Sequence, residues 1–202
     1  MIKNISVILL VLFTTSYQLS FGQDVNKKLD ITILYESLCP DSVAFFRDQL
    51  RPNYEYFKNF INVNLVPFGK SQSFKNGGEF ICQHGPAECE LNRIQSCMLQ
   101  NAANQDQQVH FAICQMSGRA DKTGKTCSKK SGIPQNIETC MTTEAGTVLQ
   151  LDAEQITSSY APKFVPTIIY DGKFTQQTQD LSLENFKGVV CSLLDKKRIA
   201  RC

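Results

Sequence analysis

The residues Cys39-Pro40-Asp41-Ser42 carry the most reactive arrangement in this sequence. A cysteine just before a helix-opening proline stands where unpaired N–H groups and the dipole of the first turn favour a thiolate over a thiol. Ser42 lies three residues on, where its hydroxyl can donate to that thiolate, whereas the Asp41 carboxylate repels it; the sequence leaves the net effect open. A thiolate so placed attacks a disulfide and forms a mixed disulfide. The alternative is that Cys39 is a structural half-cystine.

Nine cysteines bear on that choice: Cys39, Cys82, Cys89, Cys97, Cys114, Cys127, Cys140, Cys191 and Cys202. Residues 1–22 read as an export signal, with Lys3 as the positive end, an apolar run from Ile5 to Phe13, and Ser20 and Gly22 as small residues before a cut at Gln23. Export leads to an oxidising compartment, where thiols pair. The count is odd, so one cysteine is free or bridges to another chain. If it is Cys39, the other eight close four bridges.

The elements that must hold Cys39 are legible around it. Asp30 to Tyr35 is β-branched and apolar and reads as a buried strand; from Pro40 the spacing of Val43, Phe46 and Leu50 is helical. Arg51-Pro52 ends or bends that helix, and Ile61 to Pro67 alternates as a second strand. Residues 68–160 hold six of the cysteines and read as a disulfide-tied, mostly helical insertion, with helices near Cys89 to Asn104 and Glu154 to Tyr160. A third strand follows at Thr167 to Tyr170, with Asp171-Gly172 as a hairpin turn and Lys173 to Thr175 as the return strand. A closing helix from Leu183 to about Leu194 presents Phe186, Val189, Val190, Leu193 and Leu194 on one side.

The remaining composition excludes several classes of function. With 42% hydrophobic and 20% charged residues the chain can bury a core. A net charge of +2 is too balanced for a general nucleic-acid or membrane-surface binder, and no second long apolar run predicts a membrane span. The basic runs Lys122, Lys125, Lys129, Lys130 and Lys196, Lys197, Arg198, Arg201 read as solvated surface.

The segment from Cys82 to Cys97 reads C-Q-H-G-x-x-E-C-x-x-N-x-x-x-x-C. It resembles, at every fixed position, the signature of the gamma-interferon-inducible lysosomal thiol reductase family, and the resemblance extends over nearly all of residues 23–202. It implies an α/β, thioredoxin-like fold with a disulfide-rich helical insertion, and a reductase of protein disulfides at acidic pH in the secretory or endolysosomal route. Pro166, opening the third strand, fits the position that in thioredoxin-like architectures is a cis proline packed against the active cysteine. The sequence departs from the family at one place: typical members carry C-x-x-C, and here Ser42 replaces the second cysteine.

Within the signature, Cys82, His84, Cys89 and Cys97 form a possible zinc set, but the spacing is not a common finger and the compartment favours disulfides. His84 reads as a structural hydrogen-bonding residue. On one helix Cys89 and Cys97 stand about 12 Å apart, beyond the roughly 7 Å that a bridge can span, so each should find another partner.

Two functions remain. One is a thiol–disulfide oxidoreductase acting on disulfide-containing proteins, with Cys39 as nucleophile, Ser42 supporting the thiolate, Pro166 shaping the substrate groove, an external small thiol as resolver, and no cofactor. The other is a redox-impaired secreted binding protein of the same fold, in host defence by family association. Residues 23–202 contain no N-x-S/T acceptor, which favours secretion over sugar-tagged lysosomal delivery.

Overall fold

The computed structural model describes residues 27–117 and 122–202; the export-signal reading over 1–22 lies outside the described residues. β1 (Leu29–Tyr35) is the central strand of a three-stranded sheet, flanked by the strands Ile61–Pro67 and Thr167–Tyr170. Asp30 is exposed, while Leu29, Ile31, Ile33, Leu34 and Tyr35 are all buried. Each such side chain contributes about 1.5–3 kcal/mol by leaving water.

The chain crosses from β1 to its parallel neighbour β2 (Ile61–Pro67), Leu29 facing Ile61 and Tyr35 facing Pro67, through a single helical run. That run is α1 (Pro40–Phe45), a π-helical turn (Phe46–Leu50) and α2 (Arg51–Phe57). Pro52 does not end the helix. It cannot donate to a carbonyl one turn back, and the π turn just before it takes up the mismatch while the backbone stays helical to Phe57.

The insertion is a small hairpin, β3 (Gln72–Phe74) and β4 (Glu79–Ile81), followed by five helices: α3 (Pro86–Asn101), α4 (Gln105–Gln115), α5 (Lys125–Ser131), α6 (Glu138–Thr142) and α7 (Glu144–Tyr160). The expected first helix begins at Pro86 and stops at Asn101, because Asn104 caps the next one, its Oδ1 accepting from Gln107 N–H at 3.0 Å. α7 begins well before the expected Glu154 and contains Gly146, which disguises it in the sequence. The glycine is there for close approach: a Cβ would lie 2.3 Å from the Cys140 carbonyl oxygen and 2.6 Å from Arg93 Nε.

β5 (Thr167–Tyr170) pairs antiparallel with β1, Ile33 facing Ile168. The expected return strand is absent: Lys173 makes a single bridge to Tyr170, and Thr175 instead caps α8 (Gln176–Lys196), its hydroxyl accepting from Thr178 N–H at 3.1 Å. α8 breaks at Asn185, whose Oδ1 accepts from Gly188 N–H at 2.9 Å and so restarts it as the closing helix expected from the sequence, with Phe186, Val189, Val190 and Leu194 buried. The alternate β1 side chains pack with Phe45, Phe46 and Phe186 in one cluster, while Leu34 and Ile169 meet Val66, Phe68 and Ala153 in another.

Candidate functional site

Four disulfides join Cys82 to Cys89, Cys97 to Cys140, Cys114 to Cys127 and Cys191 to Cys202, and Cys39 is free. The division expected from the sequence therefore holds, and the three cysteines of the possible zinc set are in disulfides. Cys89 and Cys97 share α3 and pair elsewhere, as their spacing requires.

Cys39 caps α1, with Pro40 in the first turn, and its carbonyl accepts from Val43 N–H at 3.0 Å. Cys39 is buried, 6% exposed, and its Sγ lies 3.6 Å from the Val165 carbonyl oxygen. Val165-Pro166 is a cis peptide, and its Val165 carbonyl is the group that Cys39 Sγ meets. Ser42 is buried on the first turn, and its Oγ accepts from Glu36 N–H at 3.5 Å; Asp41 is exposed.

Gln179, on α8, secures the segment opposite the thiol. It is fully buried, its Nε2 donates to the Pro166 carbonyl at 2.9 Å, and its Oε1 accepts from Ile168 N–H at 2.8 Å. β5 is an edge strand, and this amide takes up an N–H that no strand pairs. Nothing local in the sequence marked it.

The signature residues converge on the loop that carries Cys39. Glu88, Asn92 and Gln95 lie at helical spacing and share one face of α3. Asn92 Oδ1 accepts from Ser37 N–H at 3.0 Å and from Ser37 Oγ–H at 2.6 Å, Gln95 Nε2 donates to Ser37 Oγ at 2.9 Å, and Tyr35 O–H donates to Gln95 Oε1 at 2.7 Å. Glu88 Oε2 accepts from Leu38 N–H at 3.2 Å and meets His84 Nδ1 at 2.7 Å, while its Oε1 accepts from His84 N–H at 3.0 Å. The sequence showed His84, Glu88 and Asn92 only as fixed positions of the signature and left Gln95 at a variable one; the spacing of Glu88, Asn92 and Gln95 along one helical face was the available signal.

Glu36 completes the group. Its Oε1 accepts from Lys70 N–H at 2.6 Å; its Oε2 is buried without a hydrogen-bond partner, 3.4 Å from His84 Nδ1. Burial pushes this carboxyl up, opposed by the Lys70 N–H and reinforced by Glu88. Gly69 has to be glycine beside it: its φ is +60°, and a Cβ would stand 2.3 Å from Glu36 Cγ.

Among the described residues, Glu36, His84 and Glu88 have donor atoms close enough together, within 4.8 Å, to hold an ion. Their spacing fits a shared proton better: two ligands bound to one zinc at about 2.0–2.1 Å stand roughly 3.3 Å apart, whereas His84 Nδ1 and Glu88 Oε2 are 2.7 Å apart. The basic runs stay at the surface, with Lys129 and Lys130 in the last turn of α5, Lys196 in that of α8 and Lys197 paired with Asp171.

Among the described residues no helix is long and apolar enough to cross a membrane. A model of the family described as gamma interferon inducible lysosomal thiol reductase matches residues 30–131. GILT-like protein 1 of Drosophila melanogaster is 31% identical over 198 residues, covering 87% of this chain and 78% of the fly protein. The gamma-interferon-inducible lysosomal thiol reductase of Carassius auratus is 32% identical over 181 residues, covering 85% and 71%. Among solved structures, reduced DsbA1 of Neisseria meningitidis superposes with a TM-score of 0.53 at 11% identity, covering 89% of this chain and 90% of that one. DsbA of Xylella fastidiosa superposes at 0.52 with 12% identity, covering 87% and 89%. These superpositions establish a thioredoxin-like fold.

Proposed function

Because this chain belongs to the gamma-interferon-inducible lysosomal thiol reductase family, we propose that it is a thiol–disulfide oxidoreductase that works through a single thiol, Cys39. The observation that carries the reading is the placement of Cys39: the free cysteine caps a helical run and faces the carbonyl of Val165 beside Pro166. Substrates are proteins with accessible disulfides in the secretory or endolysosomal route, where the four disulfides of this chain are at home.

The Cys39 thiolate attacks one sulfur of a substrate disulfide, forms a bond to it and expels the other sulfur as a thiolate. A second cysteine at position 42 would release the bound half; Ser42 cannot, since a hydroxyl does not displace a thiolate. An external small thiol attacks the Cys39 sulfur and releases the substrate half, and a second one frees Cys39 again. Each cycle thus reduces one substrate disulfide to two thiols and oxidises two small thiols to one disulfide. Pro166 and the Val165 carbonyl form the wall of the groove against which the substrate lies, and Ser42 supports the thiolate from the first turn.

The serine at 42 also favours a second reading, a binding protein that keeps the fold and has lost turnover. Ser42→Cys separates them. The wild type should accumulate mixed disulfides with a reducible protein and turn over slowly unless a small thiol is supplied. The variant should gain dithiol turnover and lose the adducts, and Cys39→Ser should abolish both behaviours. Absence of adducts in the wild type would overturn the oxidoreductase reading, and equal rates for wild type and Ser42→Cys would overturn the assignment of resolution to an external thiol.

A further inference from the structure

The loop Glu36-Ser37-Leu38 is the only chain between β1 and Cys39, and its backbone is held from outside. Ser37 N–H donates to Asn92, Leu38 N–H donates to Glu88, and Cys39 N–H donates back to the Glu36 carbonyl at 3.3 Å. Two of these supports end on carboxyl-bearing residues, Glu36 and Glu88, that are both fully buried and share the one imidazole of His84.

Two buried carboxylates this close cannot both ionise cheaply beside a single imidazole. The structure marks where the missing proton belongs. Glu36 Oε2 is the buried oxygen without a partner, and it points at the His84–Glu88 pair. Protonated, it adds no charge beside Glu88; ionised, it is a second buried negative charge that must share His84 with Glu88, one loop away from the thiol. The groups facing it are His84 from the turn before α3, Glu88 from α3 itself and Lys70 from the turn after β2. Lys70 engages Oε1 through its backbone N–H, and its charge and that of His84 favour the ionised form, against the larger effect of burial.

We propose that Glu36, His84 and Glu88 are one proton-sharing cluster that positions the Cys39 loop and sets how the reactivity of the thiol varies with pH. His84 and Glu88 of the family signature thereby gain a role, as holders of a proton store behind the nucleophile. Loss of the proton as pH rises adds negative charge behind Cys39 and sets Glu36 against Glu88, so the thiolate is favoured less than a thiol alone would predict. These are positioning residues, since none touches the reacting sulfur. The inference rests on Cys39 being the working thiol, and not on any substrate or on turnover.

The test is the rate of alkylation of Cys39 by iodoacetamide from pH 4.5 to 7.5, in the full-length protein with its four disulfides intact. Well below its own titration a simple thiol gains about tenfold in rate per pH unit, because only the thiolate reacts. The wild type should fall short of that gain by about tenfold in total, the effect of one nearby like charge. Glu36→Gln keeps the shape and the acceptor for Lys70 N–H, and should restore the full rise while matching the wild type at pH 4.5. His84→Gln, at the partly exposed edge of the cluster, should also steepen the profile and carries the test if Glu36→Gln does not fold. A purely structural role would shift all rates together. Parallel profiles for wild type and variant would overturn the proposal even if the protein reduces disulfides, and a protein without reductase turnover would still give the predicted profiles if the proposal holds.

Discussion

Asn92 is the residue on which the Cys39 loop depends most directly. One carbonyl oxygen takes both the N–H and the O–H of Ser37, in a region without water access. Truncation leaves two buried donors without an acceptor, and a single orphaned polar group costs about 1–3 kcal/mol. Asn92→Ala should therefore lower the unfolding free energy by about 2–4 kcal/mol, read by urea denaturation. It should also change the alkylation rate of Cys39, which lies two residues from Ser37. A loss under about 1 kcal/mol with unchanged alkylation would show that the loop is held by Glu88 and Gln95 alone.

At the scale of elements, the disulfides separate by the length of chain they close. Cys82–Cys89 spans 7 residues at the entrance to α3, whereas Cys97–Cys140 spans 43 and ties α3 to α6. Loop-closure entropy favours the longer one, at about 4 kcal/mol against about 2.5 kcal/mol. Removing Cys97 and Cys140 together as alanines should accordingly destabilise the protein more than removing Cys82 and Cys89, measured as the difference in urea midpoint at constant slope. The reverse order would mean that the short bridge is worth more as a brace for His84 and Glu88 than as a constraint on the unfolded chain. Such an outcome is informative about the site, since the short bridge brackets both His84, in the turn before α3, and Glu88, in its first turn.

For the whole molecule, Glu36 ties stability to pH. Its folded carboxyl titrates above the unfolded value of about 4.3, with burial as the leading cause. The folded state then holds a proton that the unfolded state has released, so the contribution is fully present below the unfolded value and is lost as pH rises through the folded one. Asp48 and Glu55 are shifted down by hydrogen bonds to Arg47 and Lys58, but at exposed sites where such pairs contribute little. The unfolding free energy of the wild type should therefore decline from pH 4.5 to pH 7.5 relative to that of Glu36→Gln. A constant difference between the two proteins across that range would contradict the buried acid.

The sequence by itself determined what is local or additive. A buried central strand, a cysteine before a helix-opening proline, a proline before the third strand and an odd count of cysteines are all readable, because each rests on near neighbours or on parity. The fixed positions of the signature were equally legible as a pattern, and they identified the family before any geometry was known. What only the tertiary structure decided is which distant groups meet. Ser37 and Asn92 are 55 residues apart, Leu38 and Glu88 are 50 apart, and Cys39 faces a carbonyl 126 residues away. Eight half-cystines admit about 105 pairings, and the four that form follow from where α3, α4, α5, α6 and α8 come to rest. The return strand that became the cap of α8, and the early start of α7 through Gly146, failed to show for a different reason: a local cap, with Thr178 N–H on the Thr175 hydroxyl, and a glycine held inside a helix by close packing outweighed the hairpin and helix propensities. Spacing in a sequence states which residues can share a face, and only the packed fold states what that face is turned toward.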